Sequence, residues 1–174
     1  MNRRTFLLTT TVVLSTVPAL GAEVDLRKDF TVESPVDKAR FTLSEAKGRW
    51  VALHFLLKTE CPVCLRYTRD YARRAAELPE VTHVFLKPDS EDDIRTWATS
   101  LKESKMTVYR DADARLAKAF GVPDGYRFHG QVVHFPALIL LNPEGKEVFR
   151  HVGKNNGDRL SFDTLKQKLA ELKK

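Results

Sequence analysis

The stretch Trp50-Val51-Ala52-Leu53-His54-Phe55-Leu56-Leu57, followed three residues later by Cys61-Pro62-Val63-Cys64, decides how this chain folds. The first part is an apolar run of strand length, and such a run reads as a buried strand. Beyond Cys61 the period becomes helical, with Cys64, Thr68, Tyr71, Ala75 and Leu78 on one side and Arg66, Arg69, Asp70, Arg73 and Glu77 on the other. A strand therefore delivers two thiols to the first turn of a helix. Unpaired backbone N–H groups and the helix macrodipole favour negative charge there, and so favour a thiolate. Pro62 suits the first helical position, since it has no N–H to leave unpaired and its φ is already set for a helix. The arrangement fits thiol–disulfide exchange. Cys61 attacks as an exposed thiolate, and Cys64, one turn on, resolves the mixed disulfide.

These are the only two cysteines. The same spacing also serves as half of a zinc site. Two further ligands would have to come from five histidines, at positions 54, 83, 129, 134 and 151, of which His129 and His134 have a usable separation. A purely structural disulfide is disfavoured, because so short a loop barely constrains the unfolded chain. The strand–helix setting favours redox chemistry over both.

At the N-terminus, Asn2-Arg3-Arg4-Thr5-Phe6-Leu7-Leu8 resembles the twin-arginine export consensus, and a mildly apolar, threonine-rich stretch runs on to about Val17. Pro18-Ala19-Leu20-Gly21-Ala22 then offers small residues to a signal peptidase, with cleavage after Gly21 or Ala22. The apolar run is shorter than the ~20 residues of a spanning helix, and a Sec signal with paired arginines is the alternative route. The expected organisation is an export signal at 1–22 and one domain at 23–174, of about 152 residues, enough for a single well-cored unit. Losing Arg3 and Arg4 lowers the formal charge from +6 to +4. The remaining excess is spread out, with Lys166, Lys168, Lys173 and Lys174 on the last helix, and reads as a solvated face rather than a nucleic-acid surface. Export would bring the protein to a periplasmic or other extracytoplasmic compartment, where a dithiol persists as a disulfide unless something reduces it.

Along the rest of the chain, Phe30-Thr31-Val32 and Ala39-Arg40-Phe41 form a hairpin turning near Pro35. Strand 50–57, helix 62–78 and the buried strand Val81 to Lys87 follow. Ser90-Glu91-Asp92-Asp93 resembles a capping box and opens a helix with Ile94, Trp97, Ala98 and Leu101 inward. Met106 to Tyr109 is a short strand, Ala112 to Phe120 a helix closed by Gly121, and Pro123-Asp124-Gly125 a loop leading to Gly130-Gln131-Val132-Val133-His134. Ala137-Leu138-Ile139-Leu140-Leu141 is the most apolar strand. Asn142-Pro143-Glu144-Gly145 turns it into Lys146 to His151, and a helix from about Asp158 to Leu172 closes the chain. Strands alternating with helices predict an α/β fold, with a largely parallel central sheet, helices on both faces and a C-terminal antiparallel hairpin.

A C-x-x-C after the first core strand, and a proline opening the strand of a terminal hairpin, resemble the thioredoxin fold. The extra helix and strand between Cys61 and Pro136 resemble the TlpA/ResA branch and the peroxiredoxin branch (alkyl hydroperoxide reductase and thiol-specific antioxidant). So do Asp111-Ala112-Asp113-Ala114-Arg115-Leu116-Ala117-Lys118-Ala119-Phe120-Gly121-Val122 and Asn142-Pro143-Glu144-Gly145. The likeness covers about residues 24–174. It implies that Cys61 is the nucleophile, Cys64 the resolving thiol and Pro136 a cis proline facing the pair. The Phe135 backbone would then be exposed to pair with an extended substrate; a trans proline at a strand start is the alternative. Two residues depart from the pattern. Glu60 stands where thioredoxins carry Trp and should disfavour the neighbouring thiolate, and Phe55 replaces the buried acid six residues before the nucleophile. A restricted exported partner therefore fits better than general reductase activity.

The expected activity is that of an exported thiol–disulfide oxidoreductase acting on a protein dithiol or disulfide, served by a separate redox partner and using no metal or organic cofactor. Two alternatives stay open. Pro62-Val63-Cys64 resembles the peroxidatic motif of peroxiredoxins, but with Cys61 at the position of its threonine and Leu57 at that of its upstream proline. Thr59-Glu60-Cys61-Pro62-Val63-Cys64 resembles the Sco-type copper chaperone motif one residue short. There, Cys61, Cys64 and His134 would be the copper ligands, two thiolates and an imidazole being a set soft enough for that metal.

Overall fold

The computed structural model describes residues 25–58, 61–101, 106–128 and 131–174. The export-signal segment, Glu60 and His129 lie outside the described residues. A short hairpin of β1 (Thr31–Glu33) and β2 (Arg40–Thr42) precedes β3 (Trp50–Phe55) and helix α1 (Pro62–Arg74). Then come β4 (Val81–Lys87), α2 (Glu91–Ala98), β5 (Val108–Arg110) and α3 (Arg115–Ala119). A second hairpin, β6 (Asp124–Phe128) and β7 (Gln131–His134), leads to β8 (Ala137–Leu141), β9 (Glu147–Val152) and α4 (Phe162–Leu172).

The central sheet runs β5-β4-β3-β8-β9. β3, β4 and β5 are parallel, and β8 joins β3 antiparallel, with Leu53 opposite Ile139, before β9 closes the edge. The parallel part comprises three strands, and β8 and β9 form the expected C-terminal antiparallel hairpin, with β8 set inside the sheet against β3. The unbroken apolar composition of β8 demanded that placing, since all five of its residues are buried on both faces.

Alternate residues of β3 feed two cores. Ala52 and Leu56 join Cys64 and Tyr71 of α1, Ile94 and Trp97 of α2, and Phe162, Leu165 and Leu169 of α4. Val51, Leu53 and Phe55 face Leu116, Ala117 and Phe120 around α3, together with Phe30, Val32 and Phe41 of the first hairpin. Helices therefore cover both faces. The exception to the apolar pattern is His54, fully buried between Phe85 and Tyr71.

Three boundaries differ from expectation. The helix expected over 112–120 is broken, because Asp113 and Ala114 take left-handed backbone (φ 56° and 53°) and α3 starts only at Arg115. There the buried Asp111 carboxylate accepts the N–H groups of Leu116 and Ala117 at 2.8 and 3.1 Å, acting as the cap. Asp124-Gly125, expected in a loop, instead enters β6. The last helix begins at Phe162, because Ser161 caps it by accepting the Thr164 N–H at 3.1 Å. Asp158 is used differently, bonding His151 Nε2 at 3.1 Å and the Lys154 N–H at 2.9 Å, and so closing the 151–158 loop.

Candidate active site

β3 ends at Phe55, and the chain passes Lys58 to reach Cys61, whose N–H donates to the Lys58 carbonyl at 3.1 Å. Cys61 is the N-cap of α1, Pro62 opens the helix, and the Cys64 N–H donates to Cys61 Sγ at 3.2 Å. A sulfur thus takes the capping role that Ser or Asp usually fills, accepting one of the helix's orphan donors. Cys61 is half-buried and Cys64 fully buried, and both are free thiols.

The two sulfurs stand in different electrostatic surroundings. The Cys64 thiol bonds Cys61 sulfur, which is the largest influence on each: it lowers the Cys61 pKa to about 6 and pushes Cys64 well above the thiol range. Burial opposes ionisation at both. Arg159 and Lys87 favour both thiolates. Glu60, expected to oppose the Cys61 thiolate, lies outside the described residues, and the side chains that are described favour it.

Sequence reasoning missed two residues of this site. Arg159 Nη2 lies 3.2 Å from Cys64 Sγ and 3.7 Å from Cys61 Sγ, so one guanidinium spans the pair. A helix from about Asp158 would include it, and there it would have no reason to face the thiols. In fact the loop carrying it is held from two sides. Tyr71 Oη donates to the Leu160 carbonyl at 3.0 Å, and the Gly153 N–H donates to the Pro136 carbonyl at 2.8 Å. Only glycine fits at 153, where a Cβ would lie 2.4 Å from the Asp158 carbonyl and 2.8 Å from Pro136 Cγ.

Lys87, the second, ends β4 with its ammonium fully buried, donating to the Leu57 carbonyl at 2.6 Å, pairing with Asp89 at 3.3 Å and lying over the Trp97 ring. A lysine closing an apolar strand two residues before an aspartate was the available signal.

The expectations for 134–136 need correction. Among the described residues no peptide bond is cis, so Phe135–Pro136 is trans. A cis bond costs about 0.5–1 kcal/mol unless tertiary contacts hold it, and the trans form already serves here. Nor does the Phe135 backbone offer a free edge. Its N–H donates to the Pro123 carbonyl at 3.0 Å, and its carbonyl accepts from His134 Nδ1 at 2.7 Å. Pro136 is buried against Gly153. His134 does not join the cysteines either, since among the described residues no three His, Cys, Asp or Glu side chains gather closely enough to hold a metal.

Residues 25–148 match the AhpC/TSA family model. The chain belongs to the AhpC/TSA family. None of the curated proteins matches it. Among solved structures it is similar to the exposed lipoprotein thioredoxin of Streptococcus pneumoniae, at 25% identity and a TM-score of 0.66, over 82% of this chain and 98% of that one. It is also similar to AhpC of Enterococcus faecalis, at 19% identity and a TM-score of 0.70, over 83% and 88% of the two chains. A secreted Mycobacterium tuberculosis disulfide oxidoreductase aligns at 21% identity and a TM-score of 0.62, over 85% and 99%. The fold is thioredoxin-like, and a thiol-based redox function goes with the family.

Arg159→Met should raise the Cys61 pKa by about one unit, about 1.4 kcal/mol of thiolate stabilisation. Thiolate absorbance against pH checks this. An unmoved midpoint would mean that the guanidinium is only a packing element.

Proposed function

We propose that this AhpC/TSA protein is an exported thiol–disulfide oxidoreductase. The observation that carries the reading is the split between its thiols. Cys61, half-buried at the helix start, ionises near pH 6, whereas Cys64 is buried and held protonated beside it. In exchange, the Cys61 thiolate attacks a substrate disulfide and the substrate thiolate leaves. Cys64 then gives up its proton and attacks Cys61 sulfur, closing the protein disulfide and releasing the second thiol. Arg159, touching both sulfurs, stabilises whichever carries the charge. No step calls on a metal or organic cofactor. Export is supported by the twin-arginine-like N-terminus, and no helix among the described residues is long and apolar enough to cross a membrane.

The family favours one second reading. A Cys61 thiolate can attack a hydroperoxide, giving the sulfenic acid and an alcohol or water, after which Cys64 condenses to the disulfide with loss of water. Cys64, at the position matching the peroxidatic cysteine, is fully buried and less suited to that attack.

Alkylation of the reduced protein with iodoacetamide tests the assignment. Cys61 should be labelled first, at a rate rising with a midpoint near pH 6, while Cys64 stays protected. Preferential labelling of Cys64 would overturn it. Single-turnover oxidation should be faster with a protein disulfide such as insulin than with hydrogen peroxide at equal concentration; the reverse order establishes the peroxidase instead.

A further inference from the structure

His54 is the one polar side chain in the apolar strand β3, and nothing in the proposed exchange uses it. It belongs to a row of hydrogen bonds that runs from β4 through β3 and α1 to the chain just before α4. His83 Nδ1 lies 3.0 Å from His54 Nε2, and His54 Nδ1 lies 2.7 Å from Tyr67 Oη. Tyr67 and Tyr71 stand one turn apart on the same face of α1, with ring centroids 4.6 Å apart and a hydrogen bond between their hydroxyls. Tyr71 Oη then reaches the Leu160 carbonyl at 3.0 Å, beside Arg159.

The direction of this row is fixed from its last member. A carbonyl can only accept, so Tyr71 gives its one proton to Leu160 and can only accept from Tyr67. Tyr67 thus donates to Tyr71, and its oxygen takes a hydrogen bond from His54 Nδ1. Burial keeps the His54 ring neutral, so a protonated Nδ1 leaves Nε2 bare, and His83 Nδ1 must donate to it. His83, held neutral by burial as well, is left with a bare Nε2, and that atom is buried without a hydrogen-bond partner. The orphan is therefore a lone pair, which proteins tolerate better than an unpaired N–H. The tyrosines agree with this direction. Burial raises the pKa of both; the bond between them raises Tyr67 further and opposes the rise at Tyr71, as a Tyr67 donor requires.

What the row holds is the place of Arg159. Among the described residues its guanidinium has no carboxylate partner: Nε is buried without a hydrogen bond, and Nη1 reaches the Asp158 carbonyl only at 3.4 Å. With so few bonds of its own, the side chain takes its position from the backbone. Leu160, the next residue, packs into the core, but apolar packing is non-directional, and the Tyr71 hydrogen bond is what orients its peptide.

We propose that His54, Tyr67 and Tyr71 are positioning residues for the thiol chemistry: their one-way row of hydrogen bonds orients the Leu160 peptide and so holds the Arg159 guanidinium across Cys61 and Cys64. The proposal deepens the oxidoreductase reading and rests on its Cys61 thiolate. The three residues act through Arg159, and no bond to sulfur or proton transfer is asked of them.

Two measurements on the reduced full chain test it. The first is a double-mutant cycle read on the Cys61 thiolate, by its absorbance against pH. Tyr71→Phe keeps the ring and removes the donor. It should raise the Cys61 midpoint by about half a unit in the wild-type background, and move it by no more than about 0.1 unit in Arg159→Met. An equal shift in both backgrounds, or none in the wild type, overturns the proposal. The second measurement needs no substitution. Nitrogen-15 NMR of the imidazoles at neutral pH should show His54 and His83 both protonated at Nδ1. A proton on Nε2 of either ring overturns the row, and this result decides the case if Tyr71→Phe does not fold. A wild-type Cys61 midpoint in the ordinary thiol range, near about 8.5, would count against the oxidoreductase reading instead, and the tautomers then decide the row alone.

Discussion

Cys64→Ser should turn this protein into a trap, accumulating mixed disulfides through Cys61, whereas Cys61→Ser should lose about a thousandfold or more of exchange activity and trap nothing. The asymmetry follows from position. Cys61 caps the helix and ionises near pH 6, so at neutral pH it is mostly thiolate. Cys64 is buried, and what lifts its pKa first is the bond it gives to Cys61 sulfur. Once Cys61 is tied up in a mixed disulfide that negative acceptor is gone, and Arg159 at 3.2 Å remains to favour the Cys64 thiolate. Resolution is therefore triggered by the first attack itself. Non-reducing gels of the two variants against a disulfide-bonded protein check the prediction; equal trapping by both would refute the division of roles.

The same thiolate sets a bound on redox poise. A pKa of about 6 at pH 7 means about ten thiolates per thiol, which stabilises the reduced form by ~1.4 kcal/mol, or ~30 mV for a two-electron couple. That makes the disulfide slightly more oxidising without fixing the direction of electron flow, which also depends on the partner.

What could be read from the sequence was what short-range pattern encodes. The apolar runs of β4 and β8 and the change of period at Cys61 place the sheet and the reactive pair. Legibility failed where distant contacts decide. Asp158 looks like a helix opener, yet His151 and the Lys154 N–H claim its carboxylate, and this leaves Arg159 in a loop that faces the sulfurs. The β6–β7 hairpin was missed because Asp124 pairs with His134 across ten residues, against the local turn preference of Pro123-Asp124-Gly125. The resemblance implies a cis Pro136, with trans the alternative, and the bond is trans. Its isomer is decided by the Gly153 contact and the used Phe135 backbone, neither of which is written locally.

His54 carries the other large effect, acid loss of stability. Its Nδ1 lies 2.7 Å from Tyr67 Oη and its Nε2 3.0 Å from His83 Nδ1, inside the core beneath α1. Burial lowers the pKa of both rings, that of His83 to about 4. A second proton on the ring that accepts their shared bond would also break it. A folded-state pKa below the unfolded value of 6.5 means that the unfolded chain binds the extra proton, so stability is intact above pH 6.5 and is lost as pH falls below it. A histidine whose pKa falls to about 4, as that of His83 does, costs about 2 kcal/mol between pH 7.5 and 5, and His54 adds in the same direction. His134, also lowered by burial, adds in the same direction, while buried Asp111, whose pKa is raised, opposes it toward pH 4. The salt-bridged carboxylates Glu77 and Asp163, with lowered pKa values, still hold their charge at pH 5 and lose it only further down. Urea unfolding should thus show a loss of at least about 2 kcal/mol from pH 7.5 to 5 for the wild type. His54→Gln should start less stable by about 1–3 kcal/mol, because its partners are left unmatched, and should lose less than the wild type on acidification. A variant whose stability falls as steeply as the wild type's would show that the histidine pair is not the acid-sensitive element.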